Sequence, residues 1–147
     1  MSIRTSRTFR RATVVAFDLA PRITTRSAAR AEQAARVIAA ALAMGELAVG
    51  YRDLAERLEL PNRTGRGQRG LLDALSLLCQ REGWPDLATV VVTAGSLRAG
   101  RPRPSRGVFD ASGVWPTNGL TEETIPLEQS RARDFDWRAT GLLDEGG

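Results

Sequence analysis

Three glycines and three arginines share one short stretch, PNRTGRGQRGLLDAL. Gly65, Gly67 and Gly70 form a G-x-G-x-x-G there, with Arg63, Arg66 and Arg69 set among them. Two chemistries suit such a stretch. A glycine-rich loop cradles a dinucleotide when a strand precedes it, a helix follows it and an acid about 20 positions on takes the ribose. An arginine-bearing turn at the start of a helix instead meets nucleic-acid phosphates, because exposed N–H groups and the helix dipole attract anions. Here a helical pattern, YRDLAERLEL, precedes the glycines, and the next apolar run, TVVVT, ends without an acid. There is no G-K-[ST], so a Walker loop is excluded too. The residue types favour the second chemistry.

Catalytic groups are scarce. The 147 residues contain no histidine and one cysteine, Cys79. Ser–His and Cys–His nucleophile pairs, histidine bases, an internal disulfide and most zinc sites are thereby removed. The remaining enzymatic option is a metal-dependent nuclease using Asp134 and Asp136 with Glu122 or Asp110 around Mg²⁺. Acids in such a segment more often face solvent, so the expectation is a non-enzymatic protein with no cofactor and no metal.

All 21 basic residues are arginine, and the net charge is +4. A GC-rich genome accounts for arginine in place of lysine, yet each guanidinium still offers a fork for phosphate and guanine. The charge is uneven. Residues 1–40 carry eight Arg against Asp18 and Glu32, and residues 61–109 carry eight against Asp73, Glu82 and Asp86. Residues 110–147 reverse the balance, with three Arg against eight acids. A basic body with an acidic end suits a polyanionic partner. No apolar run nears the ~20 residues that span a bilayer, and the basic N-terminus has too short an apolar stretch for a signal peptide. A cytoplasmic protein without membrane contact is expected.

The elements that would position these residues follow from periodicity. Residues 1–12 read as a basic arm and residues 13–19, TVVAFDL, as a short strand ended by Pro21. Ser27 suits the N-cap of a helix whose apolar stripe is Ala31, Ala34, Ala35, Ile38, Ala41 and Leu42, with Gly45 as its stop. A short helix on Leu54, Ala55 and Leu58 ends before Pro61. After the glycine turn, residues 68–82 form a longer helix with Leu71, Leu72, Leu75, Leu78 and Cys79 inward. Its opposite stripe is Arg69, Asp73, Ser76 and Gln80. Asp73 is awkward beside phosphate unless it accepts from cytosine or pairs with Arg69. LATVVVTAG reads as a strand, RGVFD as its return, and SLRAGRPRPS as a basic loop between them. Beyond Asp110 the chain looks irregular and acidic, pinned across the domain by Trp115, Phe135 and Trp137.

That order is the order of a winged helix-turn-helix. The expected fold class is α+β: a winged helix-turn-helix core with a short N-terminal strand and an irregular acidic C-terminal extension. The expected division is 1–26 (basic arm and strand), 27–110 (winged-helix domain) and 111–147 (extension). The stretch GYRDLAERLELPN…QRGLLDAL resembles the DNA-binding helix-turn-helix of O6-alkylguanine alkyltransferases and alkyltransferase-like proteins. In that family a Tyr opens the short helix and an Arg opens the recognition helix, where it fills the gap left by a flipped base. The matching positions are Tyr51 and Arg69. The family's Pro-Cys-His-Arg or Pro-Trp-His-Arg is absent, so alkyl transfer is not implied. LAERLEL…LLDALSLLCQREGWPDLATVVVT…RGVF…FDW is similar to small uncharacterised bacterial and phage proteins. That likeness implies Cys79, Gly83, Pro85, Leu87, Phe109 and Trp137 as framework, and no activity.

The function expected is binding of double-stranded DNA in a regulatory role. Arg63, Arg66 and Arg69 would take phosphates at the turn. Tyr51, Gln68, Ser76 and Gln80 would add polar contacts, and Arg98, Arg101, Arg103 and Arg106 would line the wing. The competing class is a protein-interaction module, such as a phage factor that binds and inhibits a host or defence protein. The alanine seam of residues 27–44 serves either a homodimer or the core.

Overall fold

The computed structural model describes residues 25–61, 64 and 67–144. The expected basic arm and the strand at 13–19 lie outside the described residues, as do Arg63 and Arg66. A long helix, α1 (Thr25–Ala43), leads to a two-residue strand, β1 (Val49–Gly50), which runs directly into α2 (Tyr51–Leu58). After the glycine turn comes α3 (Arg69–Glu82), a 3-10 turn (Leu87–Val90) and β2 (Val91–Val92). A short helix, α4 (Ala94–Arg98), a 3-10 turn (Arg106–Val108), α5 (Ile125–Asp134) and a last 3-10 turn (Trp137–Thr140) complete the described chain. The architecture is thus mainly helical with a small sheet, a coarse α+β.

The alanine seam belongs to the core. Ala28, Ala31, Ala34, Ala35, Ile38 and Ala39 are all fully buried, and α1 packs most extensively on α3 and also meets α2 and α5. Small side chains let two helix backbones approach closely, and here the partner is within the chain. Gly45, at φ +94, ends the α1 region as its position suggests. Gly83, at φ +76, closes α3, where its N–H bonds the Gln80 carbonyl.

The expected antiparallel hairpin is replaced. β2 pairs with β1 in parallel, Val49 with Val91 and Gly50 with Val92. Leu87 to Val92 is buried without alternation, and Asp86 caps the 3-10 turn by accepting the Ala88 N–H at 2.9 Å. The return strand at RGVFD is instead a 3-10 turn capped by Ser105. Two physical causes are visible. Pro102 and Pro104 remove the N–H groups that a paired strand would donate. Thr93, whose hydroxyl accepts the Ser96 N–H, starts a helix where the basic loop was expected.

The irregular extension is likewise corrected to an ordered part of the core. Trp115, Ile125, Ala132, Trp137 and Leu142 are buried in the same cluster as α1 and α3. Trp137 meets Trp84 edge-on, with ring centroids 5.8 Å apart, and its indole N–H bonds the Ala132 carbonyl at 2.7 Å. The carbonyl of Leu142 accepts a hydrogen bond from the Arg36 guanidinium on α1.

Candidate nucleic-acid interface

Two helices begin side by side. A side chain added at Gly70 would come within 3.9 Å of the Ser27 hydroxyl, so the first turns of α1 and α3 adjoin. Each turns the positive end of its dipole toward this end of the molecule. Arg26 and Arg30 rise from α1 one turn apart and line a hollow of about 230 Å³ with Leu60, Gly67 and Gln68. The Arg30 guanidinium donates to the Leu58 carbonyl at 3.0 Å, at the carbonyl-rich end of α2.

On the other flank of α3, Arg69 donates to the Gly107 carbonyl at 2.6 Å, which brings the exposed Arg106 to the same turn. Arg106 is 93% exposed, and its nearest acid, Glu122, stands 4.0 Å away. Asp73 pairs with Arg69 at 3.9 Å, the second of the two roles open to it. Four arginines, Arg26, Arg30, Arg69 and Arg106, therefore surround the start of α3.

Several expected contact residues are turned inward. Tyr51 is 5% exposed, and its hydroxyl accepts the Ser105 N–H at 2.8 Å; burial pushes the phenol up to about 12. Gln68 is buried and donates to the Tyr51 carbonyl at 2.9 Å. Ser76 is fully buried and donates to Asp86 at 2.5 Å. These three tie α2 and α3 to neighbouring segments in the interior of the fold. Gln80 is exposed, but its amide donates to the Thr117 carbonyl at 2.6 Å.

The expected wing arginines do not form one basic tip. Arg98 lines a separate hollow with Glu46, Arg52, Asp53 and Glu56. Arg103 is half-buried and donates to the Pro102 carbonyl and the Gln129 side chain. Arg101 is exposed, with its backbone N–H held by the Ser96 carbonyl. Of the wing set, Arg106 alone is tied to the first turn of α3.

Neither Arg26 nor Arg30 is among the expected contacts, although Arg30 lies off the apolar stripe of α1. Their i, i+4 spacing at a helix start was the available signal. Among the described residues, no group of three His, Cys, Asp or Glu side chains is placed to hold a metal ion. Asp110 in particular is occupied, since one of its oxygens accepts from the Ser112 N–H, the Ser112 hydroxyl and the Val114 N–H. Those hydrogen bonds hold its carboxyl below the usual range. Among the described residues no helix is long and apolar enough to cross a membrane.

The chain matches no family model, and neither the curated proteins nor the solved structures contain a significant match to it.

Proposed function

We propose that the protein is a non-enzymatic binder of double-stranded DNA that grips the phosphate backbone with the end of the molecule where α1 and α3 begin. The α2–turn–α3 unit acts as a helix-turn-helix, with the arginine-bearing turn against the duplex. In this reading the segment around Arg106 serves in place of a wing. One observation carries this function: Arg26, Arg30, Arg69 and Arg106 flank a single helix start, with Asp73 and Glu122 as the acids paired to them. Guanidinium groups and a helix N-terminus both attract phosphate, and their effects add.

Burial of Gln68 and Ser76 limits base readout, so backbone contacts dominate and sequence preference is shallow. Salt titration of duplex binding tests the proposal. Each phosphate contact contributes a slope of about 0.9 in log affinity per log salt. Replacing Arg69 and Arg106 together with alanine lowers that slope by about 2 and weakens all duplexes alike. If no duplex binds at low salt and one stoichiometric protein is recovered instead, the molecule is an interaction module.

A further inference from the structure

The hollow between the first turns of α1 and α3 has a composition that a backbone grip does not need. Its described ionisable lining consists of Arg26 and Arg30, with no carboxylate. Its other walls include Leu60, Pro61 and Leu71, three apolar side chains. Cations on one side and an apolar wall on the other suit a ligand that is charged at one end and flat and apolar at the other. Arg30 is already oriented by the Leu58 carbonyl through one N–H, and a guanidinium has five to give. The volume, about 230 Å³, lies below the roughly 300–1,000 Å³ of clefts that enclose drug-sized molecules. The hollow therefore takes the phosphate and one face of the nucleoside, and leaves the rest of the nucleotide in solvent.

We propose that this hollow seats a terminal phosphomonoester of a nucleotide, with the phosphate on Arg26 and Arg30 and the nucleoside against Leu60, Pro61 and Leu71. The proposal rests on the nucleic-acid function above and narrows it to strand ends. A free mononucleotide carries the same chemistry, so the experiment separates the two sources. A monoester bears about −1.5 to −2 charge at pH 7, against −1 for an internal diester, which is what distinguishes an end from the backbone.

Three ligands are compared on the full chain by fluorescence anisotropy or competition. They are a duplex with 5′-phosphate ends, the same duplex with hydroxyl ends, and adenosine 5′-monophosphate as competitor. Closed circular DNA, which has no ends, reports the backbone grip alone. The phosphorylated duplex is expected to bind about tenfold more tightly than the hydroxyl form, the size of one charge-assisted hydrogen bond. That preference falls between pH 7 and pH 5 as the monoester takes up its second proton (pKa ≈ 6); the chain has no histidine to titrate in that range.

Arg26→Gln abolishes the preference and weakens closed-circular binding no more than Arg106→Gln does, each variant removing one backbone cation. Arg26 is exposed and lies at the helix start, so this variant folds even if Arg30→Gln does not. Competition by the mononucleotide with no preference among duplexes assigns the seat to free nucleotide. Equal affinity for both duplex ends with no competition overturns the seat, as does a preference that survives Arg26→Gln. Failure to bind circular DNA, with the end preference intact, overturns the backbone grip and keeps the seat.

Discussion

The start of α3 and its middle use similar side chains to opposite ends. At the start, Arg69 and Arg106 are partly or fully exposed and meet their acids at 3.9 and 4.0 Å. At the middle, Ser76, Asn118 and the Ala88 N–H all donate to the buried Asp86 carboxylate, at 2.5, 2.7 and 2.9 Å. The Asp86 N–H in turn donates to Glu128 on α5 at 2.7 Å. This clasp joins α3, the 3-10 turn, the 117–118 loop and α5. The comparison teaches that a polar side chain on a helix face is an interface residue only where no other segment covers it. The segment after Asp110 covers Ser76 and engages the exposed Gln80 through the Thr117 carbonyl, and leaves the first turn open.

The strongest way to break this contrast is to remove the covering segment. Truncation after Asp110 removes Trp115, Ile125, Ala132, Trp137 and Leu142 from the core. Each buried tryptophan alone is worth about 3–5 kcal/mol against a total stability of about 5–15 kcal/mol. The truncated chain is therefore expected to lose its cooperative thermal transition by circular dichroism. A truncated chain that still melts cooperatively would show that the core does not need the segment after Asp110.

Asp86→Ala tests the clasp itself. It strands three donors in a buried place, at a cost of about 3 kcal/mol in urea denaturation. Asp86→Asn sharpens the point through pH. Burial raises the Asp86 carboxyl above its ordinary 3.8, outweighing the hydrogen bonds that lower it. The folded state then holds a proton that the unfolded state has released, so this group's contribution is full below pH 3.8. It is lost as pH rises through the raised folded value. The stability difference between wild type and Asp86→Asn should shift against wild type across that window; a pH-independent difference would contradict the assignment.

The smallest effect separates two residues that look alike in the sequence. Gln80→Ala breaks its bond to Thr117 and costs about 1 kcal/mol, without changing preference among DNA sequences. Arg106→Ala leaves the melting curve unchanged and lowers the salt slope of binding by about 1. A reversed outcome, with Gln80 altering DNA preference and Arg106 altering stability, would exchange the two regions' roles.

Much of the helical framework was legible. The apolar stripes of α1 and α3, and the stops at Gly45 and Gly83, follow from side-chain period and backbone freedom, which are local properties. The hairpin was not legible. A run of valines states that a segment is buried, but its partner strand is chosen by what else reaches it, and here that is β1 and not the proline-bearing segment. Site residues divided the same way. Arg69 and Arg106 stay at the surface because a guanidinium is costly to bury unpaired. Tyr51, Gln68 and Ser76 carry neutral groups that either face tolerates once hydrogen-bonded.

By itself the sequence determined charge, the absence of histidine chemistry and the helices whose apolar faces repeat at helical spacing, because these depend on residue type and near neighbours. Only the tertiary structure decided which polar residues are covered and which arginines share an end. The first depends on the segment that folds back from more than thirty positions away, as Ser76 to Asn118 shows, the second largely on the packing of α1 against α3, and no local pattern encodes either.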